Sequence, residues 1–211
     1  MTVDVFLSGE GANELGGRAG HPAYRDERPG VVEALLRAVR ADGWRVAGAR
    51  PWSKITKLRA SGPTPKREGQ NVLGLVLDAK RAGAHAVAFV RDADDDRERP
   101  RVIDEAIAQA GVDFPTIDVI GGTAVPVLEA WVLALQGEHR TEKLSRAASQ
   151  TALARKGIAP KDTAAMVAVI TEAGTRNLAP DATRLLKWLG DAGDVFRRRL
   201  GAPEPASTEA T

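Results

Sequence analysis

Short apolar runs alternate with longer segments of helical periodicity through the first two thirds of the chain. Four runs have the length and composition of buried strands: residues 3–7, 44–49, 85–90 and 116–120. Helical periodicity lies between them, in residues 31–43, 71–82 and 100–110. This order predicts an α/β fold, with a mostly parallel sheet flanked by crossover helices and the first strand at its centre. The glycine pair at positions 121–122 is expected to end the fourth strand.

The rest of the sequence divides the chain into an α/β part and a helical part. An apolar segment at residues 125–135 predicts a buried helix. Three further helical patterns follow it, in residues 141–156, 161–173 and 181–200. We therefore expect an α/β domain over residues 1–136, with a helical extension over residues 137–200 packed on it. The small and polar residues 201–211 predict a disordered tail.

Composition excludes several classes of protein. The 211 residues include no cysteine, so the chain has neither disulfides nor thiolate metal sites, and an intracellular protein is expected. No segment approaches the ~20 apolar residues of a membrane span, which predicts a soluble, cytoplasmic protein without membrane contact. The net charge is only +2 and aromatic residues make up 4%, so any contact with a nucleic acid has to be mainly ionic.

The first predicted strand leads into a glycine-rich loop that carries two glutamates, SGEGANELGG at residues 8–17. The loop lacks the Lys and Ser/Thr of a phosphate-binding Walker A motif. Its glycines fit a dinucleotide-binding fingerprint poorly, and Glu10 would face the pyrophosphate of such a ligand. Because carboxylates repel bare phosphate, this loop predicts a metal ion between carboxylate and phosphate.

Carboxylates follow three of the predicted strands. They are Glu10 and Glu14 after the first strand, Asp92, Asp94, Asp95 and Asp96 after the third, and Glu129 after the fourth. The carboxyl ends of parallel strands meet at one edge of a sheet, where ligands bind. Crowded carboxylates repel one another, and a hard divalent cation with oxygen ligands relieves that repulsion. The sequence therefore predicts one or two Mg²⁺ or Mn²⁺ ions at this edge.

The spacing of these residues supports the metal site. Asp92 and Asp94 point the same way if the chain stays extended, and Glu10 and Glu14 share a face if one helical turn includes both.

Each acidic group also has a simpler interpretation. Alternatively, the acidic run after the third strand is a solvated loop paired with arginines. Glu129 alone could be a charge favoured at a helix N-terminus. The coincidence of three groups at one predicted edge favours the metal site.

At these residues the chain resembles the Toprim fold, which is shared by topoisomerases, bacterial primases and nucleases of the OLD (overcoming lysogenization defect) type. Toprim domains have a glutamate after the first strand, here similar to Glu10 in SGEGANE. They also have an Asp-x-Asp after a later strand, here Asp92 and Asp94 in FVRDADDD. The OLD-type pattern adds two acidic residues that look like Glu14 and Glu129. The resemblance covers residues 1–135 and extends to a family of small stand-alone Toprim proteins of unknown function.

The resemblance implies a divalent-metal-dependent nuclease that hydrolyses phosphodiester bonds, with DNA as the expected substrate. It implies the metal ligands Glu10, Glu14, Asp92, Asp94, Asp96 and Glu129. Glu10, Asp92 and Asp94 would also be catalytic, with Glu10 doubling as general acid or base. The basic loop at residues 51–69 is expected to supply the nucleic-acid contacts Lys54, Lys57 and Arg59.

The catalytic lysine of the family has no single counterpart in this sequence. Four lysines remain candidates, Lys143, Lys156, Lys161 and Lys187, and Lys156 is the working assignment. The resembling stand-alone proteins often occur with ATPases or in phage-defence settings. An antiviral role and a partner ATPase are therefore expectations here, and a homodimer is left open.

Other functions compete with the nuclease interpretation. A topoisomerase needs a tyrosine nucleophile, and the sole tyrosine, Tyr24, lies in a loop of a chain without a second DNA-gating domain. A primase would need a zinc domain, which a chain without cysteine lacks. A metal-dependent sugar or phosphate transferase would use Asp92 and Asp94 without Glu10 and Glu14. A non-catalytic module that binds nucleic acid or a partner protein also stays open.

Overall fold

The computed structural model describes residues 2–19, 28–58, 67–94, 96–159, 161–176 and 178–201. Tyr24, Arg59, Asp95 and the predicted tail from residue 202 onward lie outside the described residues. The strands are β1 (Val3–Gly9), β2 (Trp44–Pro51), β3 (Ala86–Asp92) and β4 (Asp118–Ala124). The α-helices are α1 (Ala12–Leu15), α2 (Val31–Val39), α3 (Arg67–Arg81), α4 (Arg99–Asp113), α5 (Leu128–Leu135), α6 (Arg146–Arg155), α7 (Thr163–Ala173) and α8 (Thr183–Leu200).

The strands form an all-parallel sheet in the order β2-β1-β3-β4. The predicted α/β class with a parallel sheet flanked by helices is confirmed, and β1 lies in the interior of the sheet as expected. Gly9, Asp92 and Ala124 end three adjacent strands, so their carboxyl ends meet at one edge. That edge places the predicted acidic loops next to one another.

Both faces of the sheet are covered, which explains why the interior strands β1 and β3 are buried and apolar over most of their length. The edge strand β2 carries two arginines and is mostly half-buried or exposed. In β1, Val3, Val5 and Leu7 face one hydrophobic core, and Phe6 faces the other. The first core contains residues of α2, α5, α7 and α8, and the second contains residues of α3 and α4. Side chains that are neighbours in sequence at a strand end are therefore separated onto opposite faces of the sheet.

The fourth strand is longer than its sequence indicates. The glycine pair lies in the middle of β4 rather than at its end, so that expectation was wrong. A Cβ on Gly121 would come within 2.2 Å of the Phe89 ring on the neighbouring strand, and one on Gly122 would lie 3.4 Å from Trp188. The two glycines therefore make room for aromatic rings, and the strand passes through them.

The helices after α5 pack on the α/β part through one shared core. Trp188 of α8 lies with its ring centroid 6.3 Å from that of Trp131 in α5. The indole Nε1 of Trp188 also donates a buried hydrogen bond of 3.0 Å to the carbonyl of Phe89 in β3. Among the described helices, none is sufficiently long and apolar for a membrane-spanning segment.

Candidate functional site

Two pockets lie at the carboxyl edge of the sheet, because successive residues of β3 point to opposite faces. The first, which we name the carboxylate pocket, has a volume of about 300 Å³ and is lined by Glu10, Glu14, Asp92, Glu129, Arg146 and Lys161, among others. The second, the arginine pocket, has a volume of about 370 Å³ and is lined by Lys57, Arg67, Glu68, Asn71, Arg91 and Arg99, among others. Glu10 lines both pockets.

Glu14 is held inside the carboxylate pocket by the glycines that precede it. Its side chain is buried and its Oε2 accepts a hydrogen bond of 2.7 Å from the backbone N–H of Gly11. A Cβ on Gly9 would come within 2.1 Å of the Glu14 Cβ, so only glycine lets this side chain pack against the strand end. Burial raises the pKa of Glu14, against the effect of the Gly11 hydrogen bond, and the nearby charge of Glu129 raises it further.

Asp92 is the last residue of β3, and the charges of Glu14 and Glu129 both act on its carboxyl group. Its Oδ1 accepts a hydrogen bond of 2.8 Å from the backbone N–H of Leu128, the first residue of α5. Burial raises the pKa of Asp92 to about 7, with further contributions from Glu14 and Glu129, and the Leu128 hydrogen bond opposes the shift. The ionised form of this carboxyl is therefore disfavoured unless positive charge arrives.

Glu129 is buried in the first turn of α5, where the preceding strand β4 directs it to the same pocket. Within the described part of the chain, no hydrogen bond or ion pair reaches its side chain. The chain treats its other buried acids differently. Glu33 forms ion pairs with Arg18 at 3.2 Å and Arg37 at 3.0 Å, and Asp78 pairs with Arg50 at 2.8 Å.

The contrast among buried acids separates structural carboxylates from those at the sheet edge. Glu33 and Asp78 lie away from the carboxylate pocket and each has an arginine. Glu14 and Glu129 have no such partner among the described residues. Burying an unpaired carboxylate is costly, so a chain that pairs two of its acids and leaves two in one pocket concentrates unbalanced negative charge there.

The remaining predicted acids are engaged by arginines or by backbone. Glu10 forms an ion pair with Arg91, and its Oε1 accepts a hydrogen bond of 3.3 Å from the N–H of Asp92. Asp94 pairs with Arg99 at 2.9 Å and with Arg146 of α6 at 2.7 Å. These two acids therefore do not contribute unpaired charge in this arrangement.

Two spacing arguments fail for local reasons. Helix α1 begins at Ala12, after Glu10, so Glu10 and Glu14 do not share a helical face; Glu10 is exposed and Glu14 buried. The chain leaves the extended conformation at Asp94, which has φ of 50°, so Asp94 turns away from Asp92 toward Arg146.

Asp96 has a structural contact of its own. Its Oδ1 accepts hydrogen bonds from the backbone N–H groups of Glu98, at 3.0 Å, and Arg99, at 3.2 Å. It therefore satisfies backbone donors where α4 begins, as acidic side chains commonly do at helix starts. Asp96 is exposed and is not among the residues that line the carboxylate pocket.

The carboxylate oxygens of this pocket are chemically suitable ligands for a divalent cation. Glu14, Asp92 and Glu129 supply oxygen ligands, which Mg²⁺ and Mn²⁺ prefer, and they carry charge that no described cationic side chain pairs. In their present positions, however, no three carboxylate or imidazole groups among the described residues are placed to bind one ion together. Coordination by three of them would thus require side-chain movement within the pocket.

The predicted basic residues fall in different places. Lys156 forms an ion pair of 2.7 Å with Glu138 and is not among the residues that line the carboxylate pocket, whereas Lys161 is. Lys57 lines the arginine pocket, and Lys54 is exposed on the short turn Trp52–Lys54 just before it. Arg59 lies outside the described residues.

The alternative prediction that arginines pair with the acidic run holds for Asp94 and Arg99, but the sequence did not indicate a separate pocket lined by arginines. Arg91 lies between Val90 and Asp92, and the period-two alternation of β3 would have placed it on the face opposite Asp92. Arg99 lies five residues after Asp94, at the start of α4, and no spacing rule predicts that pair. Arg146 is harder to find, because only the packing of α6 brings it to Asp94.

The fold and site together define an α/β protein with an acidic pocket at the carboxyl edge of a parallel sheet. Comparisons of the chain with protein-family models, with curated proteins and with solved structures find no match.

Proposed function

We propose that this protein is a divalent-metal-dependent nuclease of the Toprim type, related in function to OLD nucleases, that hydrolyses phosphodiester bonds in DNA. The observation that carries the proposal is the accumulation of unbalanced carboxylates at the sheet edge. Glu14 and Glu129 are buried without arginine partners among the described residues, beside Asp92, whereas Glu33 and Asp78 are paired. A chain that only needed a stable fold would gain by replacing such acids.

In this proposal Glu14, Asp92 and Glu129 hold Mg²⁺ or Mn²⁺. When bound, such an ion supplies Lewis-acid polarisation of a phosphoryl oxygen and lowers the pKa of a coordinated water. Glu10 is exposed at the mouth of the pocket, where it can exchange protons with solvent and with a substrate oxygen as general acid or base. Arg146 and Lys161 line the same pocket and can neutralise charge on a phosphate. Lys161 therefore replaces Lys156 as the preferred candidate for the catalytic lysine.

The test is cleavage of plasmid and linear DNA by purified protein with Mg²⁺, Mn²⁺ or chelator. We expect Asp92→Asn and Glu129→Gln to lower the cleavage rate by about 100-fold or more, as loss of one electrostatic contact to a transition state does. Glu105→Gln is the matched control, because it removes a carboxylate from an exposed pair with Arg101. Wild-type cleavage is expected there.

The outcomes separate the nuclease from its main rival. Equal cleavage by all four proteins would indicate a contaminating enzyme and overturn the proposal. Metal-dependent DNA binding that needs Asp92 and Glu129, without cleavage, would favour the non-catalytic binding module. A partner ATPase and an antiviral role remain proposals that rest on the Toprim resemblance.

A further inference from the structure

The arginine pocket has a charge pattern opposite to that of the carboxylate pocket. Its lining includes four basic side chains and two acidic ones, an excess of two positive charges. The basic residues are Lys57, Arg67, Arg91 and Arg99, and the acidic ones are Glu10 and Glu68. Arg91 and Arg99 both lie against Glu68, so their two guanidinium groups share one carboxylate.

The guanidinium groups of Arg91 and Arg99 have unused donors. The Nε of each is buried without a hydrogen-bond acceptor among the described residues. Glu68 is the acid that the two arginines share, but at loose distances, 3.5 Å from Arg91 Nη2 and 3.4 Å from Arg99 Nε, the latter without hydrogen-bond geometry. A buried donor without an acceptor destabilises the folded protein, so an additional anion would relieve both arginines.

Glu68 is fixed by a separate contact and cannot serve both arginines well. Its Oε2 accepts a hydrogen bond of 2.8 Å from the indole Nε1 of Trp52, which leaves Oε1 to face the two guanidinium groups. The neutral polar side chain of Asn71 also lines the pocket, one helical turn after Glu68 on α3. The cavity is thus lined by planar, fork-shaped donors that match the oxygens of a phosphate group.

We propose that the arginine pocket is a phosphate-binding subsite, in which Arg91, Arg99 and Lys57 bind a phosphate group of a nucleic-acid strand. A volume of about 370 Å³ admits one nucleotide-sized group rather than a duplex. Glu10 lines both pockets and its partner is Arg91, so a phosphate bound by Arg91 competes with that ion pair and leaves Glu10 free to face the carboxylate pocket. The identity of the phosphate carrier as nucleic acid rests on the proposed function; the site's affinity for phosphate does not.

The test measures binding without metal, so it is independent of cleavage. A short single-stranded DNA with a 3′ fluorophore, carrying either a 5′-phosphate or a 5′-hydroxyl, is titrated in chelator at low ionic strength and followed by fluorescence anisotropy. We expect Arg91→Gln to weaken binding by more than about tenfold, the effect of losing a charge-assisted contact. Lys57→Ala, at an exposed position, should weaken binding about threefold and decides the test if Arg91→Gln does not fold.

A variant with the opposite expectation excludes a merely structural role. Glu68→Gln keeps an oxygen for the Trp52 indole but removes the competing charge, so binding should tighten about fivefold. Glu105→Gln makes the same change in net charge outside the pocket and should leave affinity unchanged. Preference for the 5′-phosphate would identify a terminal phosphate as the ligand, and equal binding an internal one; both support the subsite.

Two results would overturn the subsite. One is an affinity in Arg91→Gln and Lys57→Ala equal to that of wild type. The other is equal tightening by Glu68→Gln and Glu105→Gln, which would show that only net charge matters. Neither result bears on metal-dependent cleavage, so failure of the subsite and failure of the nuclease proposal are distinguishable.

Discussion

The carboxylate pocket and the arginine pocket lie on opposite faces of the same sheet edge, and they differ in how their charges are balanced. In the first, Glu14 and Glu129 are buried without cationic partners among the described residues. In the second, Arg91 and Arg99 have partners but keep buried donors that those partners do not satisfy. Within the described part of the chain, the first pocket therefore has buried carboxylates without an ion pair, and the second has buried hydrogen-bond donors without an acceptor.

The difference arises from one strand. Arg91 and Asp92 are consecutive in β3, and the pleat sends Arg91 toward α3 and Asp92 toward α5. Two consecutive residues at a strand end can therefore place opposite charges on the two faces of the sheet. A divalent cation and a phosphate group would each supply what one pocket lacks, and Glu10 connects the two.

The largest effect is expected in the carboxylate pocket, where removing the charge of Asp92 should stabilise the folded protein. Asp92→Asn should raise the free energy of unfolding at about pH 8 by about 2 to 4 kcal/mol, the lower figure allowing for solvent screening. The reason is that folding raises the pKa of Asp92 to about 7, so the ionised group opposes folding. Urea unfolding in chelator, monitored by circular dichroism, measures the change.

The raised pKa of Asp92 also makes the stability of the folded protein depend on pH. The folded protein binds the Asp92 proton up to about pH 7, whereas an unfolded chain releases it near pH 4. Wild-type stability should therefore fall between about pH 4 and pH 7 relative to Asp92→Asn, and the two proteins should be equally stable at about pH 4. A stability difference that is constant with pH would show that Asp92 is not electrostatically strained in the folded state.

The second largest effect is expected in the arginine pocket, where removing the charge of Arg99 should destabilise the folded protein. Arg99 Nη1 donates to the carbonyls of Asp92, at 2.7 Å, and Ala93, at 3.1 Å, and to Asp94. Arg99→Met would remove one charged donor from all three acceptors and should lower the free energy of unfolding by about 2 kcal/mol. Arg99→Lys should recover part of the loss, because a single ammonium cannot reproduce the planar fork.

Arg101→Met is the matched control for this change. Arg101 lies two residues further along α4, and its ion pairs within the described residues are with exposed Glu98 and Glu105. Exposed pairs of this kind contribute little to stability, so its melting temperature should match that of wild type. If the Arg99 and Arg101 variants were equally stable, Arg99 would not be the residue that fixes the strand end.

Much of this edge was predictable, and the reasons for the exceptions are physical. Strand alternation with helices placed β1, β3 and β4 correctly enough to bring Glu14, Asp92 and Glu129 into one pocket. The conformation of Asp94 was not predictable, because its positive φ separates it from Asp92 and no glycine marks the turn. Its partner Arg146 lies 52 residues away, a contact that only the packing of α6 produces.

The smallest effect tests the divalent cation directly. A ligand that binds only the folded state stabilises it by mass action, about 1.4 kcal/mol at ten times its Kd. Mg²⁺ or Mn²⁺ should therefore raise the wild-type melting temperature by roughly 3 °C for a chain of this size, with Na⁺ at matched ionic strength as the control. The rise should be absent in Glu129→Gln, because that variant lacks a proposed ligand, and retained in Arg91→Gln, where the change lies in the arginine pocket. An equal rise in Glu129→Gln would place the ion outside the carboxylate pocket, and an absent rise in Arg91→Gln would mean that the two pockets do not bind their ligands separately.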